Sequence, residues 1–235
     1  MPQKQTLLRI GLPHGVRVYP SEFREMLAKV PSMPNALFHR DKEGETLNER
    51  PGIRVAGAVG WVGLVADEEN KMLLREATGA AILAVSERTG RSCDVKIEEH
   101  DFNIKPTNEP RMYWIREMVI KRRTNARTQD VSTLVQARTL SSIEAICEKY
   151  GFDCPTAEQL DIQTVEVVHD RGMRLQTTTG VTNMWVTLVD TRVMIHADLA
   201  GHWFVGNLTS RGYGRIIKDR PGLHFSNSYK SEVLR

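Results

Sequence analysis

Cysteine is scarce in this chain. Cys93, Cys147 and Cys154 are the three present, and no C-x-x-C pair occurs. So small and odd a set signals neither a disulfide framework nor a structural zinc site, and its natural setting is a reducing cytoplasm. Long apolar runs are missing as well. None approaches the ~20 residues that a membrane-spanning helix needs, and the opening residues 1–6 lack the apolar centre of a signal peptide. The expectation is a cytoplasmic protein with no membrane partner. Excess charge of one sign is also small, at a formal +3, so bulk charge alone does not announce a nucleic-acid binder. Several catalytic signatures are absent: G-x-x-x-x-G-K-[ST], G-x-S-x-G, a dinucleotide fingerprint after an early strand, and H-E-x-x-H. Nucleotide hydrolysis and ordinary acyl transfer lose support, and no cofactor is implied.

What is present is arginine, glycine and an uneven placement of charge. Of the 32 basic residues 22 are arginine, the residue suited to bidentate phosphate recognition and base stacking, although genomic base composition produces the same excess. Near the end of the chain, Gly206 to Arg215 reads Gly-Asn-Leu-Thr-Ser-Arg-Gly-Tyr-Gly-Arg. Gly206, Gly212 and Gly214 permit positive φ and leave the backbone bare, while Arg211 and Arg215 flank the Gly-Tyr-Gly step. Exposed amides, guanidiniums and an aromatic ring together suit a sugar–phosphate backbone. A plain β-hairpin turn would use the glycines equally well, and the arginines are what favour nucleic acid.

At 235 residues the chain can hold one large domain or two small ones. Residues 7–12 read as a strand, and Ser21 is placed to cap a short helix through Val30. Residues 39–52 read as a charged loop, 53–65 as a bent strand, 70–85 as a helix, and 94–104 as an alternating strand. Lys105 to Pro110 is a break and the first expected boundary. Arg111, Arg116, Lys121, Arg122, Arg123, Arg127 and Arg138 then face only Glu117 and Asp130. Apolar residues before and after this basic middle suggest a helical insertion with packed shoulders. A solvated helix face normally mixes signs; this one repels itself unless an anion arrives. A β-rich stretch follows from residue 162. The expected order is a β/α half, residues 1–105; a basic helical insertion, 106–155; and a β-rich half, 156–235.

Candidate chemistry lies at residues 35–40, where His39 follows a short apolar run. Histidine near its unperturbed pKa of ~6.5 exchanges protons at cellular pH. Arg40 beside it and Arg24 on the preceding helix are placed to stabilise anionic charge, and Tyr19 to orient or donate. A base, an acid and a cation suffice for metal-free RNA cleavage with the 2′-hydroxyl as nucleophile. A lone histidine is more often structural. Among the others, His196 and His202 straddle Asp198 without a recognised zinc spacing and read as structural. The acidic cluster Glu98–Asp101 would be split between opposite faces of a strand.

This order of features resembles the RNA-processing members of the repeat-associated mysterious protein superfamily of CRISPR systems. The resemblance spans nearly the whole chain. It rests on the glycine loop with Arg211, Gly212 and Gly214, on His39 after the first helix, and on Arg50-Pro51-Gly52-Ile53 opening the next strand. The basic segment 111–138 resembles the arginine-rich helical finger of the type IV processing enzyme. The resemblance implies an α+β fold of two ferredoxin-like (RRM-like) halves with a basic α-helical insertion. It also implies a metal-independent endoribonuclease that cuts CRISPR repeat precursor RNA and stays on the product, without a cofactor. His39, Arg24, Arg40 and Tyr19 would serve catalysis. Arg116, Lys121, Arg122, Arg123 and Arg127 would grip a repeat hairpin, and Gly206, Arg211, Gly212, Gly214 and Arg215 would hold single-stranded backbone. Other CRISPR effector subunits are expected partners. The main rival reading is a non-catalytic subunit of the same superfamily that holds the 5′ handle of a guide. A third is an α+β module whose basic helix binds an acidic protein.

Overall fold

Alternation along Gln3–Gly11 sets the first strand, β1: Leu8 and Ile10 enter a core beneath two helices, while Leu7 packs on the other face with Ala56, Trp61, Val65 and Phe204. The computed structural model describes residues 3–31, 33–38, 51–121, 130–175 and 184–219. Helix α1 (Pro20–Ala28) follows, then a 3-10 turn (Asn35–Phe38), strands β2 (Ile53–Ala58) and β3 (Trp61–Asp67), and helix α2 (Lys71–Thr89). Proline at the first helical position starts α1, where its missing N–H costs nothing. Ser21 is therefore inside the first turn and not the cap; the N-cap residue is Tyr19. Phe23 and Leu27 of α1 and Leu74, Ala77, Ala81 and Val85 of α2 fill the core against β1–β3.

Strand β4 (Val95–Ile120) is the backbone of the molecule. Its first part pairs with β1 from Val95 to Phe102, giving the order β2-β3-β1-β4. With the connections β1-α1-β2-β3-α2-β4, that is a ferredoxin-like unit. Its second part pairs with β6 (Met184–Ala200) on one side and β8 (Arg215–Lys218) on the other. Strand β5 (Gln163–Leu175) lies beyond β6 as the sheet edge. The second half reads β4, α3 (Val131–Tyr150), β5, β6, β8 in the order β8-β4-β6-β5, again ferredoxin-like. The short strand β7 (Trp203–Phe204) and the glycine-rich loop stand where a second helix would run. A one-turn helix α4 (Ala157–Leu160), closed by a capping box between Thr156 and Gln159, leads into β5.

The break expected at Lys105–Pro110 is a shift of pairing between Pro106 and Arg111, inside one continuous strand. Residues 106–120 are consequently extended and do not open a helical insertion. Among the described residues that follow β4, helix begins at Val131, where Asp130 caps α3 by accepting from the Thr133 amide at 3.1 Å. The reason is burial on both faces. Tyr113, Ile115, Met118 and Ile120 enter the second core under α3, while Trp114 and Val119 are buried on the opposite side. A strand covered on both sides loses its alternation and is easily read as a helix shoulder.

A buried polar cluster joins the halves. Arg54 on β2 forms an ion pair with Asp67 at the end of β3, and Tyr150 at the end of α3 donates to the same carboxylate. Lys149 approaches Asp67 at 3.7 Å, and Gln5 donates to it at 3.4 Å. Burial works to lower the Arg54 pKa, but Asp67 and Tyr150 outweigh it and hold the guanidinium above its usual value. Among the described residues no helix is long and apolar enough to cross a membrane.

Candidate active site and nucleic-acid interface

The loop from Gly206 to Arg215 is fixed by close backbone approaches. A Cβ on Gly214 would fall 1.8 Å from the Val205 carbonyl oxygen. One on Gly212 would fall 2.6 Å from Pro20 Cβ, and one on Gly206 3.0 Å from the Val119 carbonyl oxygen. All three have positive φ, between 73° and 88°. Five loop amides donate inside the protein. Gly206 bonds to Ser142 Oγ, Asn207 to Val119, Arg211 to Leu208, Gly212 to Thr209 and Gly214 to Arg116. The expectation that these glycines offer open amides to phosphate is corrected accordingly: Gly206, Gly212 and Gly214 serve packing, and the loop presents side chains.

The loop sits on the start of α1. Gly212 lies against Pro20, and Tyr213 shares a hydrogen bond with Ser21. Tyr19, 40% exposed, immediately precedes these residues. One turn further along α1, Arg24 donates from Nη2 to the Phe38 carbonyl at 3.1 Å and lies over the Phe38 ring at 5.4 Å. Arg24 is thus anchored to the residue that leads into His39. His39 and Arg40 themselves lie outside the described residues. So do Arg122, Arg123 and Arg127.

Arg215 opens β8 beneath the loop. Its Nη1 donates to the Gly57 carbonyl at 3.2 Å, its Nη2 lies 3.3 Å from His202 Nδ1, and its guanidinium stacks over Trp61 at 5.0 Å. Arg9 lies over the same indole at 5.4 Å. No carboxylate pairs with Arg215 among the described residues. Burial first, then the charges of Arg116 and Arg9, press its pKa down to about 10, so it stays protonated at neutral pH.

Arg116 belongs to β4, not to a finger, and stands 3.5 Å from Asp190. Beside it Glu117 occupies the left-handed region at φ 49°, where β4 shifts register against β6. The Glu117 amide donates to Asp190 at 2.9 Å, and its carboxylate lies 3.8 Å from Arg171. Burial and then Asp190 raise the Glu117 pKa against the pull of Arg116 and Arg171. Burial and Glu117 likewise raise that of Tyr213. Lys121 follows the end of β4 and is exposed, next to the segment that carries the remaining basic residues.

The structure therefore gathers Tyr19, Arg24, Arg211 and Tyr213 around α1 and the loop, with Arg215, Arg116 and Arg9 as a cationic floor. Trp61, His202 and Arg9 were not singled out in the sequence as parts of this floor. Arg9 lies on β1, Trp61 on β3 and His202 in the turn between β6 and β7, and only the fold brings them to Arg215. Among the described residues no three His, Cys, Asp or Glu side chains converge as a metal cage would require. His196 instead faces Asp161 at 3.9 Å.

Residues 3–221 match the family of type IV CRISPR-associated endonucleases, Csf5. A solved structure described as Csf5, CRISPR-Cas type IV Cas6 crRNA endonuclease, is 38% identical with a TM-score of 0.84, over 92% of this chain and 100% of that one. A crystal structure of Cas6b superposes with a TM-score of 0.65 at 12% identity, over 93% and 100%. A second, described as the CRISPR RNA processing endoribonuclease Cas6b, gives 0.56 at 12% identity, over 92% and 100%. At that identity the Cas6b likeness is one of fold, two ferredoxin-like domains. No curated protein sequence matches the chain.

Proposed function

The chain belongs to the family of type IV CRISPR-associated endonucleases, Csf5, and from that membership we propose that it cuts CRISPR repeat precursor RNA without a metal ion and retains the product. The observation that carries the reading is the docking of the glycine loop on the start of α1, one turn from Arg24 and its contact with Phe38. It supports a reading in which Tyr19 and Arg24 act next to the loop that carries Arg211 and leads into Arg215. The 2′-hydroxyl attacks the adjacent phosphorus while its proton passes to a base. The 5′-oxygen leaves with a proton from an acid, and the products are a 2′,3′-cyclic phosphate and a 5′-hydroxyl. His39 moves the protons, Arg24 and Arg40 hold the charge that grows on the phosphoryl oxygens, and Tyr19 orients the reacting strand.

Binding is divided between two regions. Lys121, Arg122, Arg123 and Arg127 grip the stem of a repeat hairpin through phosphates, the usual mode for duplex RNA. Arg211, Arg215 and Arg116 hold single-stranded backbone beside the cut, and Gly206, Gly212 and Gly214 shape the loop that presents them. Product retention follows from this charge, and other CRISPR effector subunits are the partners for which the retained guide is kept. The test is incubation with structured repeat hairpins in EDTA. One cut, abolished by a 2′-deoxy residue at the cut site, supports the reading. Tight binding without cutting would replace it with a guide-holding subunit, and neither binding nor cutting would leave only an interaction module.

A further inference from the structure

Among the described residues, Arg215 is held by neutral groups: the Gly57 carbonyl, His202 Nδ1 and the face of Trp61. Of these, His202 is the side chain whose placement the fold works hardest to fix. Its backbone amide donates to Gln5 Oε1 at 2.8 Å, and its carbonyl accepts from Gln5 Nε2 at 3.3 Å. Gln5 is itself fully buried and tied to Asp67. His100, opposite Gln5 on β4, packs edge-on against the His202 ring at 4.9 Å between centroids. The imidazole is gripped from the backbone and from its side, with Nδ1 facing Arg215.

A carboxylate in this place would orient Arg215 more strongly but would cancel its charge. A neutral imidazole orients the guanidinium and leaves the charge whole. Burial, Arg215 and His100 keep His202 unprotonated by pressing its pKa down to about 3. A guanidinium can only donate, so its 3.3 Å contact calls for the tautomer with the proton on Nε2 and the lone pair on Nδ1.

We propose that His202 is a positioning residue for RNA, a neutral acceptor that aims Arg215 at the phosphate backbone without neutralising it. The inference rests on the reading of Arg215 as an RNA-binding residue. Three substitutions separate its parts. His202→Asn keeps a neutral acceptor near the Nδ1 position, His202→Leu keeps bulk without an acceptor, and His202→Asp supplies a charged one. Affinity for a repeat hairpin carrying a 2′-deoxy cut site is measured for each, alone and in an Arg215→Ala background.

The expected result is near-wild-type affinity for His202→Asn and a loss of about 10-fold for His202→Leu, the lower range for a hydrogen bond to a charged group. His202→Asp should also lose affinity although its thermal stability holds. None of the three should matter once Arg215 is gone. Equal affinity for the Asn and Asp variants overturns the inference, as does an unchanged effect of His202→Leu in the Arg215→Ala background. If His202→Leu does not fold, the Asn and Asp pair decides alone. Should Arg215→Ala by itself leave affinity intact, the RNA-binding role of Arg215 fails first, and the inference falls with it.

Discussion

Arg215 keeps its charge although most of it is buried, because its neighbours accept hydrogen bonds without bringing opposite charge. Phosphate oxygens are the chemistry that such a group lacks. The proposed mechanism gives proton transfer to His39, and His39→Ala should slow cleavage at least ~100-fold, the usual lower range for losing a general acid or base. Single-turnover cleavage checks this, and an unchanged rate would pass the role to Arg24 and Arg40. His202 gives a pH-dependence of a defined sign. Unfolded, it takes a proton near pH 6.5; folded, buried and facing Arg215, His100 and Arg54, it resists protonation down to about 3. Between those values the unfolded chain binds more protons, so stability falls as pH falls. The slope from this group is at most about 1.4 kcal/mol per pH unit. Denaturant melts at a series of pH values should show a flatter acid limb for His202→Asn than for the wild type.

At the scale of elements, the glycine loop and β4 decide where the chemistry sits. Gly214→Ala places a methyl group on the Val205 carbonyl in a left-handed residue, a combination of overpacking and strain that should cost about 1–3 kcal/mol. Thermal unfolding should register that loss and cleavage should fall with it. Gly15→Ala, also at positive φ but with open space around it, should cost less and spare cleavage. Strand β4 was only half legible. Val95 to Ile104 alternates visibly, whereas Tyr113 to Ile120 is buried on both faces and carries Arg116 and Glu117 at a bulge. Alternation there is lost, and the paired prolines of Pro106 and Pro110 read as a linker. Helices α2 and α3 were legible because each has one apolar face and a punctuated end, Gly90 and Gly151 in the left-handed conformation, and β1 because its short apolar run stops before Pro13 and Gly15.

The whole molecule is two ferredoxin-like halves sharing one strand, and that sharing sets the site. Because β4 serves both sheets, β8 is brought back against β2 and β3, where Arg215 reaches the Gly57 carbonyl and shares the Trp61 indole with Arg9. Sequence spacing could not reveal this cationic floor, since its members lie up to two hundred residues apart and meet only through the fold. The glycine loop that carries Arg211 and leads into Arg215 is local in sequence, whereas His39 lies outside the described residues. Charge of the whole surface enters through salt. Replacing Arg122, Arg123 and Arg127 together should weaken binding of a repeat hairpin and flatten the dependence of affinity on salt, by roughly one counterion per lost phosphate contact. Unchanged affinity and slope would remove those residues from the interface. Metal-free attack by the 2′-hydroxyl leaves its own end groups, so the decisive measurement is end-group analysis of RNA cut in EDTA. The expected ends are a 2′,3′-cyclic phosphate on one fragment and a 5′-hydroxyl on the other. A 3′-hydroxyl with a 5′-phosphate, or cleavage that appears only when a divalent cation is restored, would rule that attack out.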